Sequence, residues 1–363
     1  MTRSRLIGLG LPALAAGAAA GAAWCATRRP ELPGFPGADD PIAERMRVDV
    51  DGATITMIVR GRDRSLPVLL LLGGGPGIPG YLMECLRPTG LADDFIVAWP
   101  EYRGTGLSRS RRDAAAAMTT DRYLRDVDAI AAALGARFGQ DRILLMGHSF
   151  GTYLGYLAAQ ARPDRYLAYV AMSQLADARD MERAAHAEMV AMCRERGDDR
   201  LLARLRAYDL DDREQYLAWT TSSDRDQAMH GLGGGTAHDM RDVIAGLFLP
   251  SLACRAYTPL ERVALWRAKF AAHAYPVTRE SREWPGPQRG ASLGIPFYVF
   301  AGRHDLTTLY ARQRSVFDGV DAPVKGFYTF PGSAHSPLFE EPNRAREILR
   351  LDVLRGVAQL ADA

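Results

Sequence analysis

Short apolar runs alternate with longer amphipathic stretches along most of this chain, and the two periodicities predict different elements. Residues 47–61 alternate apolar and polar positions around Asp51-Gly52, the signature of an antiparallel hairpin. The runs at 68–72, 95–99, 143–146 and 166–172 are continuously apolar, which suits strands covered on both faces, and further strands are expected at 296–300 and 325–330. Between them, residues 120–138 carry Leu124, Val127, Ile130, Ala131 and Leu134 on one helical face, with Thr120 placed to cap the helix. Further helices are expected after residue 149, from about Tyr310, and over 343–360. Such alternation predicts an α/β fold: a mostly parallel, doubly wound sheet with helices on both faces. From about 176 to 293 the strand pattern disappears and Arg, Asp, Glu, Met and Ala recur at helical spacing. That stretch is expected to be a helical cap, inserted after the sixth strand of a core formed by 46–175 and 294–363.

The break between residues 143 and 160 is chemically informative. An apolar run stops at Gly147-His148-Ser149-Phe150-Gly151 and resumes at helical spacing with Tyr153, Leu154, Tyr156, Leu157 and Ala158. A chain that reverses within two residues forces the neighbours at plus and minus two together, and glycine at both positions removes the clash. This strand–Ser–helix pattern is the nucleophile elbow of α/β-hydrolases. Ligands of parallel sheets bind at the carboxyl ends of strands, so the polar residues that follow strands are the candidates. Asp305 follows the strand at 296–300, and His335 follows the strand at 325–330. Ser149, Asp305 and His335 stand in the chain order of the α/β-hydrolase triad. In that arrangement histidine takes the serine proton and aspartate holds the imidazole tautomer. The N–H groups of Phe150 and of Gly74 or Gly75 are the expected oxyanion donors. Asp177, just past the strand at 166–172, is an alternative acid. His148 and His304 adjoin the candidates but point elsewhere in a tight turn, and Glu101 and Arg103 are expected to pin a turn.

Composition narrows the setting. The chain has 363 residues, 47% hydrophobic and 24% charged, with a formal net charge of +2. No basic block interleaved with aromatics supports nucleic-acid binding. Cys25, Cys85, Cys193 and Cys254 lack metal-site spacing, although one disulfide among the last three fits the count. Neither a metal nor a cofactor is expected. Arg3 and Arg5 precede an apolar run over 6–23 with small-residue cleavage sites. Residues 1–29 are therefore expected to be a signal peptide or membrane anchor that exports the protein, with membrane association through that segment only. The Pro/Gly-rich residues 30–45 are expected to be a linker.

Five stretches, LLGGGPG, EYRGTGLS, MGHSFGTYLG, AGRHD and PGSAHSP, together resemble the prolyl aminopeptidase (proline iminopeptidase) family of α/β-hydrolases. The resemblance implies a serine hydrolase with a helical cap, acting on small-molecule or short-peptide substrates through an acyl-serine intermediate and needing no cofactor. Two positions depart from the family pattern: Gly73 stands where its first loop carries histidine, and Tyr102 where the second carries glutamine. The family's acidic cap motif, tryptophans before an amine-binding glutamate, has no clear counterpart. The nearest stretch contains Trp219, and Asp224, Asp226, Asp239 and Asp242 are the carboxylates available to replace it. The cap segments 247–257 and 265–275 are expected to supply an apolar, aromatic inner face. An aminopeptidase-like activity is the leading expectation. An esterase or lactonase of the same superfamily, or a non-catalytic ligand-binding protein of that fold, are the alternatives.

Overall fold

The computed structural model describes residues 30–110 and 114–363. The expected signal or anchor segment lies outside them, and no helix among the described residues is long and apolar enough to cross a membrane.

Eight strands form one sheet. β1 (Ile42–Val50) and β2 (Ala53–Gly61) make the hairpin, with Asp51 and Gly52 at positive φ in its turn. β3 (Val68–Leu72), β4 (Ile96–Pro100), β5 (Ile143–His148), β6 (Tyr166–Met172), β7 (Phe297–Gly302) and β8 (Lys325–Phe330) follow. The spatial order is β1-β2-β4-β3-β5-β6-β7-β8, antiparallel through β1, β2 and β4 and parallel from β4 onward. Because side chains alternate along a strand, the continuous apolar runs feed two cores at once. In β3, Val68, Leu70 and Leu72 enter one core while Leu69 and Leu71 enter the other. β5 divides in the same way, with Ile143 and Leu145 opposite Leu144 and Met146.

Helices cover each face. α1 (Gly80–Leu86) packs on one side through Tyr81, Leu82 and Met83. α2 (Thr120–Phe138) and α3 (Phe150–Ala161) pack on the other, α2 through Tyr123, Val127, Ile130, Ala131 and Leu134. The N-cap of α2 is Thr119, not Thr120. The Thr120 side chain is drawn away to the Glu280 carboxylate and the Tyr153 hydroxyl.

Between β6 and β7 the described chain is helical: α4 (Ala178–Arg196), α5 (Asp199–Leu205), α6 (Arg213–Thr220), α7 (Ser223–Gly231), α8 (Pro259–Ala272) and α9 (Pro276–Arg282). This insertion has two halves that pack differently. α4 to α7 build a small core of their own around Met189, Cys193, Leu205 and Trp219. The second half instead joins the core of the sheet through Leu247, Tyr257, Leu265 and Trp266. It is also tied there chemically. Cys85 in α1 is disulfide-bonded to Cys254, Arg45 pairs with Glu261 at 2.8 Å, and the Tyr257 hydroxyl donates to Glu101. Cys193 is free and buried.

Two sequence expectations need correction. β1 starts at Ile42, inside the stretch taken as linker, and the residues before it adhere to the body. Phe35 lies under the Arg60 guanidinium at 4.9 Å, and Arg60 donates to the Pro33 carbonyl. The closing helix is also shorter than 343–360. After α10 (Tyr310–Gly319) and α11 (Pro337–Glu340), α12 spans Pro342–Ile348, widens into a π turn over Leu349–Val353, and the chain leaves it at Gly356 with φ 66°.

Arg103, only 2% exposed, is bidentate on Asp126 of α2 and donates to the Val50 and Asp51 carbonyls at the β1–β2 turn. Removing one partner of a buried pair leaves an uncompensated charge. Arg103→Ala is therefore expected to lower the unfolding free energy by about 3–5 kcal/mol, read from urea denaturation; a loss below about 1 kcal/mol would show that the pair is dispensable. The Cys85→Ser/Cys254→Ser double variant should lose about 2–5 kcal/mol in the same measurement, since the bond closes a long loop.

Candidate active site

The site is built where β3, β5, β7 and β8 end. Ser149 sits between β5 and α3 at φ 53°, ψ −120°, a conformation that an L-residue holds only when its surroundings impose it. Its N–H donates to the Met172 carbonyl and its carbonyl accepts from the Thr152 amide. The two flanking glycines allow the turn. A Cβ on Gly147 would lie 2.5 Å from the Gly151 carbonyl oxygen, and one on Gly151 would run into the Leu72 carbonyl.

Asp305 and His335, 30 residues apart in the chain, meet through Oδ2 and Nδ1 at 2.9 Å. The Asp305 carboxylate also accepts the Thr307 and Thr308 amides, each at 2.8 Å, and the Thr308 hydroxyl at 2.7 Å. Burial alone would raise its pKa, but His335 and these donors outweigh burial and bring it down to about 2. A carboxylate ionised and saturated in this way fixes the imidazole with Nδ1 protonated and Nε2 turned to the cavity. Ser149, His148, His335, Gly74 and Gly75 line one cavity of about 220 Å³. Neither Ser149 Oγ nor His335 Nε2 has a hydrogen-bond partner among the described residues, so both are uncommitted where substrate would lie. Phe150 opens α3, where helix N–H groups lack intrahelical acceptors. A Cβ on Gly74 would stand 3.2 Å from Ser149 Cβ, a tight approach that glycine relieves.

The other candidates take supporting places. Asp177 caps α4 by accepting from the Asp180 amide. His304 stacks on His238 with ring centroids 4.1 Å apart. His148 Nε2 lies 2.9 Å from the His335 carbonyl and must donate to it; burial and then the adjacent His335 push its pKa down to about 3, so it stays neutral. Glu101 accepts the Leu107 amide and the Tyr257 hydroxyl, and burial pushes it up to about 7. Gly73 and Tyr102, the two departures from the family pattern, touch each other: the Tyr102 hydroxyl donates to the Gly73 carbonyl at 2.7 Å.

Sequence reasoning missed three supports of the histidine loop. The Ser173 hydroxyl donates to the His335 carbonyl from a residue at φ 58°. Glu340 accepts the Ala334 and Ser336 amides on either side of His335. The triple glycine at 233–235 brings cap backbone against both loops, where the Gly234 carbonyl accepts from Leu306 and the Gly235 carbonyl from His335. That run of three glycines was the available signal.

The cap closes the cavity less aromatically than expected. From 247–257 and 265–275 only Leu247, Lys269 and His273 reach it. Trp219 and a glutamate do meet, but across two helices: the Trp219 indole donates to Glu182 of α4 at 3.1 Å, and Arg225 grips the same carboxylate in a fork. Asp224 is held by Arg204, Asp239 pairs with Arg87, and Asp242 caps Ala245. Among the four aspartates named from sequence, Asp226 alone lines the cavity.

Comparison with known proteins agrees with this architecture. Residues 67–342 match the alpha/beta hydrolase fold family. A probable aminopeptidase of Bacillus subtilis (strain 168), YbaC, is 26% identical over 307 residues, covering 83% of this chain and 93% of that one. Two solved structures share the fold. The proline iminopeptidase of Mycobacterium smegmatis has a TM-score of 0.61 at 19% identity, covering 86% of this chain and 98% of that one. A proline iminopeptidase-related protein of Thermus thermophilus has a TM-score of 0.57 at 20% identity, covering 85% of this chain and 96% of that one. With the family model matching most of its length, the chain belongs to the alpha/beta hydrolase fold family and is an α/β-fold hydrolase resembling the prolyl aminopeptidases.

Proposed function

We propose that this protein cleaves a small amide or ester through an acyl-serine intermediate, and that its activity is of the aminopeptidase kind. The observation that carries the reading is the Asp305–His335 contact of 2.9 Å on the wall of the cavity that also holds the strained Ser149. In this reading Ser149 Oγ attacks the substrate carbonyl as His335 Nε2 takes its proton, and Asp305 stabilises the imidazolium that forms. The Phe150 amide and that of Gly74 or Gly75 receive the developing oxyanion. His335 then returns the proton to the leaving nitrogen or oxygen, and water repeats the sequence on the acyl-enzyme.

The motif resemblance and the name of the Bacillus relative support the aminopeptidase side. The cavity at Ser149 has two lobes, of about 220 and 210 Å³, room for a small substrate. An esterase or lactonase is the second reading, favoured by one observation: Glu182, the cap glutamate beside tryptophan, is already neutralised by Arg225 and is not free to hold an amine. Export is part of the proposal as well. The Cys85–Cys254 bond fits an oxidising compartment.

Ser149→Ala should abolish labelling by a fluorophosphonate probe and lower kcat by at least about 10³-fold, with an unchanged circular dichroism spectrum; residual turnover above a few per cent would remove Ser149 from the role of nucleophile. Asp305→Asn should cost on the order of 10⁴-fold in kcat. Asp305 has a depressed pKa in the folded protein, so its stabilising contribution is complete above the ordinary carboxylate value near about 4. It is lost as pH falls toward about 2. Stability of the wild type relative to Asp305→Asn should therefore be constant from about pH 7 to 5 and shrink only below about pH 4, measured by thermal unfolding. A matched pair of substrates, a free-amine prolyl amide and its N-acetyl form, separates the two readings. Rejection of the acetylated compound by a hundredfold supports the aminopeptidase, and equal turnover supports the esterase.

A further inference from the structure

Ser149 lies between two lobes of cavity of different character. One, bounded by Leu71, Ile78, Met83, Val243, Leu247 and Phe339, is largely apolar. The other, about 210 Å³, is more polar, with Thr220, Thr278, Ser281, Thr307 and Thr308 in its wall beside the Glu182 carboxylate and the apolar Leu175 and Met181. Three permanent cations face these lobes: Arg225 lines both, Arg282 the polar lobe and Lys269 the apolar one. Arg225 alone forms an ion pair, with Glu182, so those two charges cancel. Neither Arg282 nor Lys269 has a carboxylate within ion-pair distance among the described residues.

Arg282 belongs to α9 and is only partly exposed. Its Nη2 donates to His273 Nδ1 at 3.1 Å, a neutral acceptor that leaves the charge unbalanced. Partial desolvation, followed by Lys269 and Arg282 themselves, pushes His273 down to about 4, so the imidazole adds no charge and remains an acceptor. Desolvation and the neighbouring Arg225 lower the pKa of Arg282, and desolvation lowers that of Lys269. Both cations are therefore held at a cost that an incoming anion would relieve. Asp226, beside Lys269 on the apolar lobe, is the opposing charge there, and its side chain is half exposed.

A guanidinium with spare N–H donors in a half-dry, hydroxyl-lined pocket next to a reactive serine matches a planar carboxylate, which accepts two parallel N–H bonds. We propose that the polar lobe is a carboxylate-binding subsite with Arg282 as its anchor, and that the substrate is a small amide or ester bearing a carboxylate, as the free C-terminus of a di- or tripeptide does. This rests on the hydrolase reading above and adds the substrate class. Arg282 acts as a specificity-determining residue. Threonine and serine hydroxyls around it supply the remaining donors, and Lys269 biases the cavity toward negative charge from the far lobe.

The experiment compares kcat/KM for 4-nitrophenyl esters of matched chain length ending in a carboxylate, a methyl or an ammonium group, in the wild type and in Arg282→Gln and Arg282→Lys. The carboxylate ester should be preferred over the methyl ester by at least tenfold, about 1.4 kcal/mol, chiefly through KM. Arg282→Gln should bring that ratio to about one, and Arg282→Lys should restore part of it. Preference for the methyl or ammonium ester in the wild type, or an unchanged ratio in Arg282→Gln, overturns the subsite. Calorimetric titration of Ser149→Ala with adipate reads the site without catalysis. Binding that Arg282→Gln weakens tenfold or more supports it, and no binding to the parent overturns it. If all three esters are inert while adipate binds, the carboxylate subsite stands and the serine-hydrolase reading falls.

Discussion

The whole candidate site hangs on one backbone reversal. At Ser149 the chain leaves a buried strand and enters a helix within a single residue, at a φ of 53° that costs on the order of 1–3 kcal/mol. The strain is tolerated because packing leaves no alternative. Gly147 and Gly151 touch each other's backbone, and Gly151 lies against the Leu72 carbonyl of the neighbouring strand. That closeness has two effects. It places Ser149 at the carboxyl edge of the sheet, and it brings the start of α3 against the end of β3. The histidine loop is then brought in by polar contacts: Ser173 and His148 on its carbonyl, Glu340 on the amides either side.

Much of this was legible in the sequence because the responsible forces are local. A strand buried on both faces must be continuously apolar, and β3 and β6 appear over the very residues that such runs mark. The G-x-S-x-G turn and the hairpin at Asp51-Gly52 are likewise dictated by sterics within a few residues. The element ends were less legible. Thr119 and Thr120 are chemically equivalent as caps, and the choice between them is made by Glu280, 160 residues away. The closing helix keeps its helical pattern well past its end, and a π turn over Leu349–Val353 is what cuts it short.

The cap was read least well, since its side chains are assigned by packing between distant helices. Segments 247–257 and 265–275 have the composition of a pocket lining, yet most of their apolar residues face the sheet's own core. Trp219 stood out in sequence while its acidic partner did not, because Glu182 comes from another helix 37 residues earlier. A charge count could not show that Arg225 cancels Glu182 and leaves Arg282 over. That distinction exists only once three helices have been folded around the same space.

The two halves of the cap are attached in unlike ways. The half containing Cys254 and Glu261 is welded to the sheet by a covalent bond, an ion pair and a shared apolar core. The half from α4 to α7 owns a separate core and meets the triad loops through the glycines at 233–235. One half is an abutment fixed covalently to the sheet, and the other rests on the loops that carry Asp305 and His335. Displacing one half would break a covalent bond and an ion pair, whereas displacing the other would break backbone hydrogen bonds to the loops that carry Asp305 and His335.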